Sequence, residues 1–219
     1  VYLDFQVLGP DPDDAGLLQI LLAASRADQV DGRLAAVREA GLRPVLVDLE
    51  SFALEQSAAV LAGDREAVAV ADIGATSLTL ALAGDGEHHF SRSQALSGTP
   101  LAAALASARG LTRAEAESAL RQGEVPAGEL VTPFVEAVAA QLNRLLPLAA
   151  DQAGRAADRL LIAGGGALAP GMTSALRDAL DRPVALARPL SRTGSEASAD
   201  LRAVEPALAV ATALGRRRP

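Results

Sequence analysis

Two apolar runs in this chain stop at segments almost without side chains, and these two points constrain the fold more than any other feature. The run 67–73 ends in Asp72-Ile73-Gly74-Ala75-Thr76-Ser77, an acid at the close of a hydrophobic strand followed by a small-residue turn. The run 160–163 ends in Gly164-Gly165-Gly166-Ala167, with Pro170, Gly171 and Met172 opening a helix just beyond. The first pattern is what phosphate binding needs. Glycine lets backbone N–H groups approach an anion, hydroxyls add donors, and the carboxylate can hold a hydrated Mg2+. The second lets a flat ribose or base lie against main chain, while the helix N-terminus offers positive potential to phosphate. Each also has a plainer reading. Asp72 and Gly74 fit a tight hairpin in which the carboxylate accepts turn hydrogen bonds. The triple glycine fits a structural turn, or the Gly-x-Gly-x-x-Ala of a dinucleotide-binding (Rossmann) enzyme. That enzyme would need strands and helices alternating around the loop and an acid near Arg188, and the sequence offers neither.

The segments around the loops read as an α/β pattern. Residues 1–8 and 17–24 form a strand-loop-strand unit, and Ser25-Arg26-Ala27-Asp28 resembles a capping box opening a helix with Val30, Leu34 and Val37 on one face until Gly41. A strand over 45–49 follows Pro44, then a helix over 52–61. Strands at 67–73, 78–83 and 88–93 make a meander with Asp85-Gly86 as its hairpin turn. Helices are expected over 99–108, 112–121 and 130–150, the last with Val131, Phe134, Val138, Leu142 and Leu145 at helical spacing and with Pro147 to kink or end it. A strand at 183–187, a Gly/Ser/Thr loop at 191–198 and a final helix over 206–216 complete the pattern.

Charge and composition exclude several functions. The chain carries 20 basic and 27 acidic residues, a net charge of −7, which repels nucleic acid and anionic lipid and favours a protein partner or a small ligand. With no cysteine there are no thiolate metal sites, disulfides or cysteine nucleophiles. No stretch approaches the roughly 18 to 20 apolar residues that a membrane-spanning helix needs. His88 and His89 alternate across a strand and so form no same-face metal pair. Arg216, Arg217 and Arg218 suit a solvated helix end facing the macrodipole.

Taken together, the two loops, with a meander after the first and a long helix before the second, follow the order found in the second lobe of actin-like ATPases. Val1-Tyr2-Leu3-Asp4-Phe5-Gln6-Val7-Leu8-Gly9-Pro10, Leu21-Leu22-Ala23-Ala24-Ser25-Arg26 and Val47-Asp48-Leu49-Glu50-Ser51-Phe52-Ala53-Leu54-Glu55, with both loops, resemble successive segments of the PilM family of bacterial type IV pilus assembly proteins. The resemblance covers nearly the whole chain and implies an actin-like ATPase (ribonuclease H-like) fold. It divides the chain into the remainder of a first lobe (1–63), a second lobe with the nucleotide loops (64–203) and a C-terminal helix returning to the first lobe (204–219). It also implies that the family's first phosphate loop precedes Val1. On that expectation the chain is the C-terminal part of a longer protein and binds ATP weakly by itself, holding half of a two-hairpin clamp.

The resemblance assigns Asp72, Gly74, Ala75, Thr76 and Ser77 to the second phosphate loop, with Asp72 on Mg2+, and Gly164, Gly165, Gly166 and Ala167 to the adenosine loop. Glu117 and Arg121, four apart on one helix face, fall where the family places an acid and a lysine around the adenine. An ordinary surface ion pair fits them equally. Glu136 and Gln141 are expected in solvated or interlobe roles, and no residue stands out as a catalytic base, so hydrolysis is expected to be slow at most. Leu49 and Phe52 are the expected partner contacts, with core packing as their alternative. The implied function is a cytoplasmic, ATP-binding scaffold of the pilus platform that supports twitching motility. It recruits the cytoplasmic N-terminal tail of PilN, works beside other platform proteins, and meets the inner membrane only through partners. FtsA-like and GspL-like scaffolds, which need a membrane-targeting end, and sugar or acid kinases, which need a substrate-positioning acid, are the other readings.

Overall fold

The computed structural model describes residues 1–84, 87–96, 101–122, 131–192 and 196–217, without the side chains of residues 87–89, 121 and 192. The Asp85-Gly86 turn, the His88 and His89 side chains and Arg218 therefore lie outside the described residues. Contacts divide the chain into two compact units, Val1–Val47 and Asp48–Arg218.

The first unit is a β-hairpin with one helix. Strand β1 (Tyr2–Pro10) pairs antiparallel with β2 (Leu18–Ser25), placing Phe5 opposite Leu22 and Val7 opposite Ile20. Helix α1 (Ala27–Glu39) has Val30 and Leu34 half-buried, and the Tyr2 hydroxyl donates to Asp31 Oδ1 at 2.9 Å. The expected capping box is absent. Ser25 is still paired to Tyr2 in the sheet, so Arg26 becomes the N-cap without a side-chain cap bond, and Asp28 binds Arg26 at 2.6 Å instead. Gly41, at φ +76°, takes the left-handed geometry that ends α1, and Leu42 N–H returns to Val37 O at 3.1 Å. The strand expected over 45–49 is also absent. A strand exists only where a neighbouring edge takes its N–H and C=O groups, and among the described residues none pairs with this segment, which leaves Val45, Leu46 and Val47 exposed.

The second unit is a three-layer sandwich. Its sheet runs β5-β4-β3-β6-β7, from β3 (Val68–Ile73), β4 (Ser77–Gly84), β5 (Glu87–Ala95), β6 (Arg159–Ala163) and β7 (Val184–Leu186). The meander β3-β4-β5 is antiparallel, whereas β6 and β7 extend it in parallel beyond β3. An antiparallel meander in this position excludes the doubly wound parallel sheet of a Rossmann enzyme. Strands β3 and β6 are apolar at nearly every position because both faces are covered. On one face Ala69, Ala71, Ile73, Leu160 and Ile162 pack against α5 (Val131–Ala153) through Phe134, Val138, Leu142 and Leu145, flanked by α3 (Leu101–Arg109), α4 (Arg113–Gln122) and α6 (Met172–Leu180). On the other, Val68, Val70, Ala81, Leu161 and Ala163 meet Leu54, Ala58 and Leu61 of α2 (Glu50–Leu61) and Ala209 of the last helix. Pro147 removes one N–H from α5, yet the helix continues to Ala153.

The C-terminal segment consists of α7 (Ala199–Ala203), a 3-10 turn (Glu205–Leu208) and α8 (Ala209–Arg216), so the expected final helix opens as a tight turn. Helix α8 packs on α2. The basic tip is not fully solvated, since Arg217 forms a 2.9 Å ion pair with the largely buried Asp48. Contacts thus group α2, placed above with residues 1–63, with the sheet it covers. Leu142→Ala, at a fully buried position, should cost about 2–5 kcal/mol of unfolding free energy in urea melts. Leu148→Ala, at a half-exposed position on the same helix, should cost less than about 1 kcal/mol. Equal losses would contradict this account of the core.

Candidate functional site

Strands β3 and β6 lie side by side in parallel, with Asp72 opposite Ala163, so both small-residue loops leave the sheet at the same edge. Ligands of open α/β sheets bind at the carboxyl ends of parallel strands. The two loops are in direct contact. A Cβ at Gly164 would stand 2.5 Å from Asp72 Oδ1 and from Ile73 O, and one at Gly166 would stand 2.5 Å from Ile73 Cγ2. Gly164 also sits at φ +83°, and its N–H donates to Pro206 O at 3.0 Å. These two glycines are therefore required by loop-on-loop packing. A Cβ at Gly165 would meet nothing within 4 Å, so the backbone there faces open space. Ala167 is buried in the core beneath, within the 3-10 turn Gly165–Leu168.

The first turn is closed by Gly74 N–H donating to Ser77 O at 2.9 Å, which leaves Ala75 and Thr76 exposed at its tip. Among the described residues the N–H groups of Ala75, Thr76, Gly165 and Gly166 donate to no protein acceptor. Unengaged N–H groups in a turn beside a second such turn are what a backbone anion site supplies.

Asp72 is half-buried, and its pKa is pushed up to about 6 by burial first and by the negative charge of Glu50 second. Glu50, the first residue of α2, is thus a candidate site residue that sequence reasoning missed. A glutamate in a helix first turn also complements the helix dipole, so residue type and position alone do not mark it. Only the fold brings it within electrostatic reach of Asp72. Two carboxylates of like charge favour a hard divalent cation, and Mg2+ is typically held by one or two carboxylates plus phosphate and water oxygens. The donor chemistry fits Mg2+, although among the described residues no cluster of three or more metal-ligating side chains exists.

Helix α4 packs on the Gly165–Leu168 turn, which places Glu117 on an element beside the second loop. Glu117 pairs with Arg113 at 2.9 Å, and the side chain of Arg121, its expected partner, lies outside the described residues. The helix start itself is a capping box, with Thr112 N–H on Glu115 Oε2 at 2.8 Å and Glu115 N–H on Thr112 Oγ1 at 3.3 Å. Glu136 is exposed on α5, and Gln141 accepts from Arg144, which also reaches Gln94. Leu49 and Phe52 are half-buried on either side of Glu50.

The family model for type IV pilus assembly protein PilM matches residues 1–218. The chain belongs to the PilM family. A solved PilM-PilN type IV pilus biogenesis complex is similar at a TM-score of 0.78 and 28% identity, over 100% of this chain and 67% of that one. The ethanolamine utilization protein EutJ from Carboxydothermus hydrogenoformans matches at 0.54 and 17% identity, over 87% of this chain and 61% of that one. MreB5 of Spiroplasma citri bound to AMPPNP matches at 0.51 and 12% identity, over 88% of this chain and 65% of that one. The last two show the fold alone. The fold is the actin-like ATPase fold, and the chain spans about two thirds of the length of these PilM, EutJ and MreB chains.

The raised pKa of Asp72 has a sign that can be measured. The folded value of about 6 lies above the ordinary 3.8, so the stabilising contribution of the protonated carboxyl is complete below 3.8 and is lost as pH rises through about 6. Raising the carboxyl from 3.8 to about 6 corresponds to about 3 kcal/mol. Asp72→Asn in Mg2+-free buffer should gain on the wild type by about that amount between pH 4 and pH 7.5, read from urea melts. A stability difference that does not change with pH would refute the burial of this charge.

Proposed function

We propose that this chain is the nucleotide-binding part of an ATP-binding scaffold in the type IV pilus platform. The observation that supports it most is the contact between the Asp72–Ser77 turn and the Gly164–Ala167 loop at the paired ends of β3 and β6. In this reading the N–H groups of Ala75 and Thr76 and the hydroxyls of Thr76 and Ser77 hold phosphate. Asp72, under the negative charge of Glu50, holds the hydrated Mg2+ that neutralises the phosphates. The open backbone at Gly165 takes the adenosine, and Glu117 and Arg121 on α4 flank the base. Bound cation would restore the ionised form of Asp72 and offset the like-charge cost of Glu50. Turnover is slow at most: Asp72 serves the cation, and no other side chain at the two loops is placed as a base.

The partner in this reading is the cytoplasmic N-terminal tail of PilN, as the PilM-PilN neighbour suggests, with Leu49 and Phe52 among its contacts. A net charge of −7 weakens direct attraction to anionic lipid, and no described helix is long and apolar enough to cross a membrane. By its PilM membership the protein would work in the cytoplasm, at the inner membrane through PilN and other platform proteins, in support of pilus-driven twitching. Titration of the full-length protein with a fluorescent ATP analogue should show Mg2+-dependent binding. Asp72→Ala should weaken it by about tenfold or more, the equivalent of one or two charge-assisted contacts. Unchanged affinity and unchanged Mg2+ dependence in Asp72→Ala would remove Asp72 from the site.

A further inference from the structure

Glu205 is one of the few charged residues buried among the described residues, at 4% exposure, and it lies outside both loops. Its Oε1 accepts the N–H groups of Leu190 at 2.8 Å and Ser191 at 3.3 Å, the first turn of the 3-10 segment Pro189–Arg192. Its Oε2 faces Arg188 Nη1 at 3.4 Å, and that guanidinium also reaches Arg202 O at 3.3 Å. The next residue, Pro206, is buried, and its carbonyl receives the Gly164 N–H at 3.0 Å. One dipeptide thus bridges the turn after β7 and the first glycine of the adenosine-side loop. Gly164 has little freedom on its other side, where a single added carbon would strike Asp72 and Ile73.

We propose that Glu205 is a positioning residue: by capping the Pro189–Arg192 turn it fixes the Pro206 carbonyl, which sets the Gly164–Ala167 loop against Asp72. It touches no ligand. Its effect on nucleotide rests on the reading of the loops given above, whereas its effect on the loop does not. A carboxylate accepting two N–H groups in a buried place is a stiff anchor, because those bonds are charge-assisted and shielded from water. Proline at the next position fixes φ, and the 3-10 turn Glu205–Leu208 sets the remaining rotation, so the anchoring reaches the Pro206 carbonyl.

The test is site-resolved amide hydrogen exchange and ADP titration on the full-length protein, comparing Glu205→Ala, Glu205→Gln and Glu205→Asp. Glu205→Ala should speed exchange at Gly164 by about tenfold or more while Val70, in the middle of β3, stays at the wild-type rate. The same variant should weaken ADP by about tenfold with the Mg2+ dependence unchanged, since the change acts on the Gly164 side of the site. Glu205→Gln, which keeps an acceptor for Leu190 and Ser191 but loses the charge that Arg188 faces, should fall between Glu205→Ala and the wild type in both readouts. If Glu205→Ala does not fold, Glu205→Asp carries the test, with its carboxylate withdrawn by one methylene and a smaller change in the same direction. Exchange at Gly164 that is unchanged, or accelerated equally at Val70, overturns the proposal. Normal ADP binding by Glu205→Ala overturns it with the nucleotide reading intact, whereas a wild-type protein that binds no nucleotide overturns the nucleotide reading and the affinity half of the proposal together.

Discussion

The pairing of β3 with β6 is the interaction on which the rest of the second unit depends. These two parallel strands, joined from Val68–Arg159 to Asp72–Ala163, are covered on both faces, and each carries one of the loops. At their far end Ala67 N–H donates to Asp158 Oδ2 and Asp158 N–H to Ala67 O, both at 2.8 Å, so the register is held where the strands begin. Because side chains alternate faces along a strand, a one-residue slip would invert both faces of the core. It would also move Gly164 off Asp72, so the same register that buries Val70 and Leu161 on one face and Ala71 and Ile162 on the other sets the loops together.

Small side chains make this arrangement close. Ala81, Ala83, Ala163, Ala187 and Ala209 line the layer between the sheet and helices α2 and α8, where bulkier residues would hold the helices away. With α2 drawn in, its first residue Glu50 acts on Asp72 electrostatically. The packing of an apolar layer and the electrostatics of the candidate site are therefore one structural fact. A charge held partly out of water beside a like charge disfavours its own ionisation, and a cation at that point relieves both terms.

Much of the fold was legible in the sequence because it is locally encoded. The unbroken apolar character of 67–73 and 160–163 marks strands buried on both faces, and the spacing of Val131, Phe134, Val138, Leu142 and Leu145 marks a one-faced helix. Where local logic failed, the presence or the lack of a distant partner was responsible. Ser25 could not cap α1 because it is held in the ladder with Tyr2, and residues 45–49 form no strand because no described edge accepts them. Thr112 and Glu115 form the capping box that Ser25 and Asp28 do not, since Thr112, unlike Ser25, lies in no described strand ladder.

For the candidate site the division is similar. By itself the sequence determined the family, the two side-chain-poor loops and Asp72 as the acid of the first, because glycine, small residues and a strand-ending acid act through backbone freedom, a local property. Only the tertiary structure decided why Gly164 and Gly166 must be glycine, that Glu50 acts on Asp72, that Glu117 pairs with Arg113, and that Pro206 holds Gly164. Each of those depends on atoms far apart in the chain or on a rotamer chosen among several, and no spacing along the sequence specifies which distant groups the closing of the sheet brings within a few ångströms.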